Sequence, residues 1–402
     1  MKSSLLLIGV ICSLLALSAS AEECPFSGRR NLLQAGAPGA APPAQQGGAP
    51  APAAVGPRPV GKDVYGEPAL DYDFYTTKCP TFLQIVKTEV AKAIAADSLT
   101  PAQLLRLFFH DCFVMGCDAS LLLKSTKVNL AERDHPNNFT VDKFTVIDAI
   151  KAELEKACPG IVSCADILGA AAAEAVEQAG GPHIDLAFGR RDGLDSFALA
   201  AKTNLPGSTL KVVGLVENFA NVGLNKTDMV VLSGGHTIGQ ARCSTFADRF
   251  APGVKNPFPD TKFGEALQTY CTDGNTAGLD RRMTLDANST TVFDNGYFRS
   301  IVAGRGILTS DHVLFTDPST KPLVTLFAAN QDAFFAAFKE SMAKMGRIGV
   351  LTGTQGQIRK QCWVRNPVDI TTTPDANMDF APVSSEFCKP ASCDATCASP
   401  TS

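Results

Sequence analysis

The most informative segment of the sequence is 104-LLRLFFHDCFVMGCDAS-120. Its first half is apolar and interrupted by Arg106 and His110, which are four residues apart. In an α-helix, residues at this spacing lie on one face, so the two side chains can reach a common ligand. Phe109 is next to them in the sequence. The pattern predicts a helix that presents a guanidinium, an imidazole and a phenyl ring to one site.

The opposite side of this helix carries a different chemistry. Asp111 follows His110 directly and is rotated from it by about 100° in a helix, so it is expected behind the helix. Cys112 and Cys117 bracket the loop that leads to Asp118 and Ser120. A local disulfide would hold the oxygen atoms of these residues close together. Hard oxygen ligands of this kind suit calcium.

The apolar spacing elsewhere is predominantly helical, and alternating strand patterns are scarce. Thr100 and Pro101 supply an N-cap followed by proline at the first helical position, which predicts a helix from Pro101 to about Phe113. Apolar residues three and four apart predict four further helices. These are expected at Phe82–Ala96, Phe144–Ala157, Ser163–Ala179 and Asp332–Met345. The predicted fold class is therefore mainly α.

A second histidine changes the interpretation of the first. A His-Asp pair on an apolar helix, taken alone, favours a structural hydrogen-bonded pair. His236, however, follows two glycines in 230-VVLSGGHTIGQARC-243, where a flat ligand can approach closely, and it is expected to open a helix. A haem between an axial histidine and a polar acid-base pair accounts for both motifs. Zinc hydrolase and serine hydrolase chemistry are disfavoured, because neither paired histidines one turn apart nor G-x-S-x-G occurs.

Composition restricts the partners. The chain has 402 residues, of which 45% are hydrophobic, and a formal net charge of -4. No basic cluster is present, so a nucleic-acid partner has no electrostatic support. After the N-terminus, no segment is apolar enough to predict a membrane span. Small or neutral ligands are expected.

The ends of the chain differ from its middle. Residues 1–21 combine a lysine, an apolar run and Ala19-Ser20-Ala21, which is typical of a secretory signal peptide. Residues 22–69 form an extension rich in Ala, Pro and Gly, and 367–402 form a Pro-, Ser- and Thr-rich tail. The folded domain is expected at 70–366. Twelve cysteines remain after the signal, an even number that favours full pairing in an oxidising compartment.

The ordered motifs resemble those of the secretory haem peroxidases of plants, the class III peroxidases. The resemblance covers about 70–366. It is carried by LLRLFFHDCFVMGCDASLLL, CPGIVSCADIL, GGP, GRRDG, NLPGS, LSGGHTIGQARC, VFDNGYF, GILTSDHVLF and MGRIGVLTGTQGQIRKQC. It implies the all-α haem peroxidase fold, in which a distal and a proximal helical half enclose haem b.

The resemblance also implies roles for individual residues. His236 would be the proximal iron ligand, with Asp311 accepting its other ring proton, while Arg106 and His110 would form the distal pair that cleaves the O–O bond. Asn137 would orient His110, although a short gap in the alignment leaves Asn138 as an alternative.

Access to the site would depend on two further residues. Phe109 would restrict it, and the carbonyl of Pro206 would hold phenolic donors.

Two calcium ions are implied in addition. The distal ion would use Asp111, Val114, Gly116, Asp118 and Ser120, with Glu132 acting through water. The proximal ion would use Thr237, Asp286, Ser289, Val292 and Asp294. Near the proximal set the usual proline is missing, and Asn288 begins one of three N-glycosylation sequons, the others beginning at Asn138 and Asn225.

Four disulfides follow from the resemblance: Cys79–Cys158, Cys112–Cys117, Cys164–Cys362 and Cys243–Cys271. Cys24, Cys388, Cys393 and Cys397 are left over. If these pair within one chain, Cys24 must bond to a tail cysteine. The alternatives are that the extension is trimmed or that Cys24 bonds to another molecule.

The function implied is reduction of hydrogen peroxide to water with one-electron oxidation of phenolic donors, in a monomer located outside the cell or in the vacuole. The alternative is a non-catalytic wall or matrix protein that keeps the fold; loss of Arg106, His110 or His236 would favour it, and all three are present. An intracellular ascorbate-type peroxidase is disfavoured by the signal sequence and the cysteines.

Overall fold

The structure is a computed structural model that describes residues 70–251, 253–254, 258–272 and 279–367. The predictions for the signal peptide, for the extension and for nearly all of the tail lie outside the described residues. So do those for Cys24, Cys388, Cys393 and Cys397. The bounds of the folded domain stay a prediction.

Helices dominate the described part of the chain, which confirms the mainly α fold class. In the first half they are α1 Phe74–Lys78, α2 Phe82–Ala96, α3 Thr100–Cys112, α4 Phe144–Ala157, α5 Cys164–Gln178, α6 Ala198–Asn204 and α7 Val212–Asn221. In the second half they are α8 Lys226–Ser233, α9 Thr261–Thr272, α10 Gly296–Val302, α11 Thr309–Thr316, α12 Lys321–Ala329 and α13 Gln331–Met345. Strands β1 Gln240–Arg242 and β2 Arg282–Thr284 pair antiparallel, with Ala241 opposite Met283.

The helix predictions hold with small changes at the ends. The bounds of α2 and α4 are as predicted, α5 lies within its predicted range, and α13 begins one residue early. Thr100 is not the N-cap of α3; it is the first helical residue, and its hydroxyl donates to the carbonyl of Ala93 at 3.1 Å. The side chain therefore connects α3 to α2 instead of capping its own helix.

Helix α3, which carries Arg106 and His110, packs closely against a second helix. Its apolar face is buried, with Leu107 and Phe108 fully inaccessible to solvent, and it packs on the alanine-rich helix α5. Small side chains on α5 permit this close approach: a Cβ atom at Gly169 would lie 3.5 Å from the ring of Phe108. Close packing of this kind restricts side-chain motion, so the polar face of α3 is held in a fixed position.

Four disulfides are present among the described residues, and all have the pairing that the family resemblance implies. They are Cys79–Cys158, Cys112–Cys117, Cys164–Cys362 and Cys243–Cys271. The bond from Cys164 to Cys362 joins α5 to the end of the described chain, 198 residues later. Within the described residues, no helix is both long enough and apolar enough to cross a membrane.

Candidate active site

The distal pair meets on one face of α3, as predicted. Nε of Arg106 donates to Nε2 of His110 at 3.1 Å. A guanidinium nitrogen can only donate, so Nε2 of His110 is the accepting, unprotonated nitrogen of a neutral ring. The proton of that ring must then reside on Nδ1. The acceptor lone pair of the imidazole thus points towards the arginine.

Asn138 fixes this orientation, and the prediction of Asn137 is wrong. Nδ1 of His110 lies 2.6 Å from Oδ1 of Asn138, whose Nδ2 donates to the carbonyl of Glu132 at 2.7 Å. The side chain of Asn137 instead donates to the carbonyl of Ala201 at 3.2 Å. A single turn of 3-10 helix, Pro136–Asn138, directs Asn138 into the interior and Asn137 outward.

The local electrostatics keep His110 neutral and Arg106 charged at neutral pH. Burial and the neighbouring charge of Arg106 lower the pKa of His110 to about 3, although the bond to Asn138 opposes this shift. Burial lowers the pKa of Arg106 to about 10. At neutral pH a neutral base therefore lies next to a fixed cation.

A second contact, which no sequence motif predicted, positions the guanidinium. Nη1 of Arg106 donates to the carbonyl of Thr140 at 2.9 Å and to its hydroxyl at 2.8 Å. The ring of Phe109 meets the imidazole of His110 edge to face, with the ring centres 5.5 Å apart. Phe109 is half-buried, so it also forms part of the accessible rim.

His236 does not open a helix as predicted. It belongs to a short 3-10 turn, Gly234–Thr237, which follows α8 and leads into β1. Nδ1 of His236 lies 2.9 Å from Oδ1 of Asp311 in α11. Burial lowers the pKa of His236, but the charge and hydrogen bond of Asp311 outweigh burial and raise it overall.

The other ring nitrogen of His236 is available to a ligand. Its Nε2 makes no hydrogen bond with any residue that the structure describes, and 40% of its side chain is accessible to solvent. The His236 turn lies next to α3, since a Cβ atom at Gly235 would lie 3.2 Å from Cδ2 of Leu105. The charge of Arg106 also acts on His236. The two predicted halves of the site are thus neighbours.

The distal calcium candidates surround the back of α3. Oδ2 of Asp111 accepts from the backbone N–H of Ala119 at 3.0 Å, and Oδ1 of Asp118 accepts from that of Ser120 at 2.9 Å. Gly116 has a φ of 108°, and a Cβ atom there would lie 2.5 Å from a carbonyl oxygen of Gly349. Only glycine can therefore hold the loop in this position.

Buried oxygen atoms without partners mark this cluster. The hydroxyl of Ser120 and Oε2 of Glu132 are buried and have no hydrogen-bond partner within the described part of the chain. Burial, together with the charge of Asp118, raises the pKa of Glu132 to about 8, and burial and its acidic neighbours also raise that of Asp111. A bound divalent cation would be coordinated by these oxygen atoms and would offset the cost of burying charged carboxylates. The donor set therefore fits calcium. The carbonyl of Val114 already accepts from Nδ2 of Asn204 at 2.6 Å.

Only some of the proximal calcium candidates lie close together. The hydroxyl of Thr237 donates to Oδ1 of Asp294 at 3.0 Å. Oδ2 of Asp286 is buried and has no hydrogen-bond partner in the described ranges, and a Cβ atom at Gly296 would overlap it and would lie 2.7 Å from Oδ1 of Asp294. Three of the five predicted ligands therefore meet at the start of α10.

The other two proximal candidates, Ser289 and Val292, make no hydrogen bond to this cluster within the part of the chain that the structure describes. The hydroxyl of Ser289 accepts from the backbone N–H of Thr291 and of Val292. In the described part of the chain, no three His, Cys, Asp or Glu side chains are placed to hold one metal ion. Either calcium ion would therefore need hydroxyl and carbonyl oxygens as well.

Pro206 follows α6 and is half-buried. Its carbonyl oxygen accepts no hydrogen bond from the residues that the structure describes. The oxygen is consequently free to accept from a ligand.

Comparison with known proteins identifies the family. The peroxidase family model matches residues 86–330. Peroxidase P7 of Brassica rapa subsp. rapa is 43% identical over 298 residues, which cover 74% of this chain and all of that protein. Basic peroxidase of Zinnia elegans is 44% identical over 294 residues, covering 73% of this chain and 89% of that protein. This chain belongs to the class III plant peroxidases.

Family membership makes the chain a peroxidase and implies haem, hydrogen peroxide and an electron donor. Nothing favours the non-catalytic alternative. The residues present fit the cofactor: an imidazole with a free Nε2 is anchored by a buried carboxylate on one side, and a neutral histidine and a cationic arginine lie on the other. A carboxylate that accepts the other ring proton is the usual partner of a metal-binding histidine.

The sequons differ in accessibility. Asn225 and Asn288 are exposed, and Asn225 also caps α8 by accepting from the backbone N–H of Asp228 at 3.0 Å. Asn138 is 1% exposed and uses its side-chain nitrogen as a hydrogen-bond donor. In the folded domain, only the first two are accessible to a glycan.

Proposed function

We propose that this class III peroxidase reduces hydrogen peroxide with His110 as the proton carrier and Arg106 as the charge stabiliser. His236 is the axial ligand of haem b in this proposal, and phenols are the electron donors. The observation that carries it is the neutral His110 held between Arg106 and Asn138, with its unprotonated nitrogen facing the guanidinium. This is the state that a general base requires.

The proton path follows from the tautomer. Nε2 of His110 accepts the proton of one peroxide oxygen and returns it to the other oxygen, which then leaves as water. General acid-base catalysis of this kind contributes about 10²–10⁴-fold. Asn138 keeps the second ring proton on Nδ1, so the ring does not turn away between the two transfers.

Arg106 acts on charge. Its pKa of about 10 leaves it protonated at neutral pH, and its N–H groups can donate to the oxygen on which negative charge develops. Thr140 holds one end of the guanidinium, so little reorganisation is needed during the reaction.

The haem, when bound, supplies the redox chemistry that breaks the O–O bond and accepts electrons from the donor. His236 would hold it through Nε2. The bond from Nδ1 to Asp311 gives the imidazole partial negative charge, which favours the higher oxidation states of iron.

Phenolic donors suit the rim of the site. The carbonyl of Pro206 can accept from a phenol hydroxyl, and Phe109 offers an aromatic edge. Phe139 lies beside Asn138 and Thr140 in sequence and is 67% exposed, so it adds apolar surface at the same entrance.

Two calcium ions complete the proposed holoenzyme. The distal ion is held by Asp111, Val114, Gly116, Asp118, Ser120 and Glu132. The proximal ion is held by Thr237, Asp286, Ser289, Val292 and Asp294. Support comes from buried oxygen atoms of Ser120, Glu132 and Asp286 that have no hydrogen-bond partner among the described residues.

We also infer that the protein acts as a monomer outside the cell or in the vacuole. The leader-like N-terminus and four disulfides support an oxidising compartment.

An absorption spectrum of the purified protein tests the function. We expect a Soret band that shifts on addition of hydrogen peroxide and returns after addition of a phenol such as guaiacol. The matched variant His236→Ala should lose the axial-histidine spectrum. A chain that binds haem but gives no peroxide-dependent shift would contradict the proposal.

A further inference from the structure

Tyr297 contacts the proximal carboxylate directly. Its hydroxyl donates to Oδ1 of Asp311 at 2.8 Å, the same oxygen that lies 2.9 Å from Nδ1 of His236. The rings of Tyr297 and His236 meet edge to face, with centres 5.8 Å apart. The three side chains come from the Gly234–Thr237 turn, α10 and α11, so tertiary packing alone brings them together.

The carboxylate has few other ways to spread its charge. Asp311 is 1% exposed, and its other oxygen, Oδ2, is buried and has no hydrogen-bond partner among the residues that the structure describes. Tyr297 is also 1% exposed, and burial and Asp311 raise its pKa well above the usual range, so the phenol keeps its proton and remains a donor. Two donors therefore share the electron density of one oxygen atom.

We propose that Tyr297 is a positioning residue that limits the anionic character of His236 by competing for Oδ1 of Asp311. Each hydrogen bond to a carboxylate oxygen withdraws charge from it, so the phenol weakens the pull of Asp311 on the imidazole proton. The inference rests on the proposed role of His236 as the iron ligand. It predicts that the phenol hydroxyl raises the reduction potential of the haem.

Tyr297→Phe tests this, because it removes the hydroxyl and keeps the ring. We expect the ferric/ferrous reduction potential of the haem-loaded protein to shift to a more negative value. We also expect the iron–histidine stretching frequency of the ferrous form, measured by resonance Raman spectroscopy, to increase. Both readouts are independent of turnover.

Tyr75→Phe is a matched control for the loss of a buried tyrosine–aspartate bond. The hydroxyl of Tyr75 donates to Oδ2 of Asp166 at 2.7 Å, and Tyr75 is 5% exposed, but neither residue contacts His236. The control should lose stability and leave the potential and the stretching frequency unchanged. Equal shifts in both variants would mean a general structural effect and overturn the inference.

A double-mutant cycle separates this inference from the proposed function. In an Asp311→Asn background, Tyr297→Phe should no longer move the potential. If Asp311→Asn shifts the potential and Tyr297→Phe in the parent does not, the role of Tyr297 is wrong while His236 keeps its assignment. If His236→Ala retains the parent's axial-histidine spectrum, the proposed function itself is wrong.

Discussion

Oδ1 of Asn138 lies 2.6 Å from Nδ1 of His110, and the amide nitrogen of the same side chain lies 2.7 Å from the carbonyl oxygen of Glu132. A single amide thus connects the proposed base to a proposed calcium ligand. Because the nitrogen of the amide donates to Glu132, its oxygen must face His110. The distal base and the calcium cluster are mechanically coupled through Asn138.

Asn138→Ala should slow the reaction with peroxide. Without the amide oxygen, neither the tautomer nor the orientation of His110 is fixed. Partners that orient a metal-binding histidine are worth roughly 10–100-fold, and we expect a loss of similar size here. Stopped-flow absorption at varied peroxide concentration measures the rate. Asn137→Ala is the matched control and should retain the parent rate, since its side chain bonds to Ala201. The reverse order of effects would restore the assignment to Asn137.

His110→Ala should leave haem bound and slow the peroxide step more severely, by about 10²–10⁴-fold, because it removes the proton carrier. Arg106→Leu should cost less, since the base remains. Pre-steady-state absorption measures both rates, and the haem content of each variant is the control. Parent-like rates in both variants would contradict the distal assignment.

Calcium removal should lower thermal stability and the peroxide rate together. Without the ion, the buried oxygen atoms of Ser120 and Glu132, behind the helix that carries His110, have no hydrogen-bond partner among the described residues. Asp118→Ala should reproduce part of the loss, and added calcium should reverse chelation in the parent only. Unchanged melting and turnover after metal analysis confirms calcium loss would exclude this coupling.

Asp228→Asn should destabilise the domain by about 1 kcal/mol at neutral pH, the usual size of a lost charged hydrogen bond or cap. Asp228 accepts from the backbone N–H of Asn225 at 3.0 Å, from Ser341 at 2.9 Å and from Lys344 at 2.9 Å, joining α8 to α13. Thermal or denaturant unfolding measures the difference. Asp332→Asn, at an exposed position in the first turn of α13, is the control.

The difference in stability between the parent and Asp228→Asn has a defined pH dependence. Burial would raise the pKa of Asp228, but Lys344 and the bonds from Asn225 and Ser341 outweigh burial and hold it below its ordinary value of 3.8. A depressed folded-state pKa gives stability that is complete above the unfolded value and is lost as pH falls through the folded value. The difference between parent and Asp228→Asn should therefore shrink below pH 3.8. A difference that grows in acid would exclude this account.

The sequence predicted those parts of the fold that a regular repeat controls. Arg106 and His110 meet because they are one helical turn apart, and Asp111 faces backward for the same reason. The errors occur where the backbone is irregular. A shift of one residue in a short turn exchanges Asn138 for Asn137, and two glycines allow a 3-10 turn at His236 where the apolar pattern predicted a helix. Periodicity carries no information there.

Thr140 and Tyr297 illustrate a second limit. Thr140 is distant in sequence from the arginine that it contacts, and Tyr297 lies in α10 while its acceptor Asp311 lies in α11. Neither contact has a local sequence pattern. Each depends on how separate elements pack, which a motif of consecutive residues does not encode.

The buried Asn138 also sets an order of events during biosynthesis. Asn138 and Thr140 belong to one acceptor tripeptide, yet in the native domain the asparagine nitrogen donates to Glu132 and Thr140 holds Arg106. An oligosaccharide on that nitrogen and the native distal contacts exclude each other. In a chain that enters the secretory pathway, closure of this turn and glycan transfer would compete for the same nitrogen atom. The native distal contacts therefore require an Asn138 that carries no glycan.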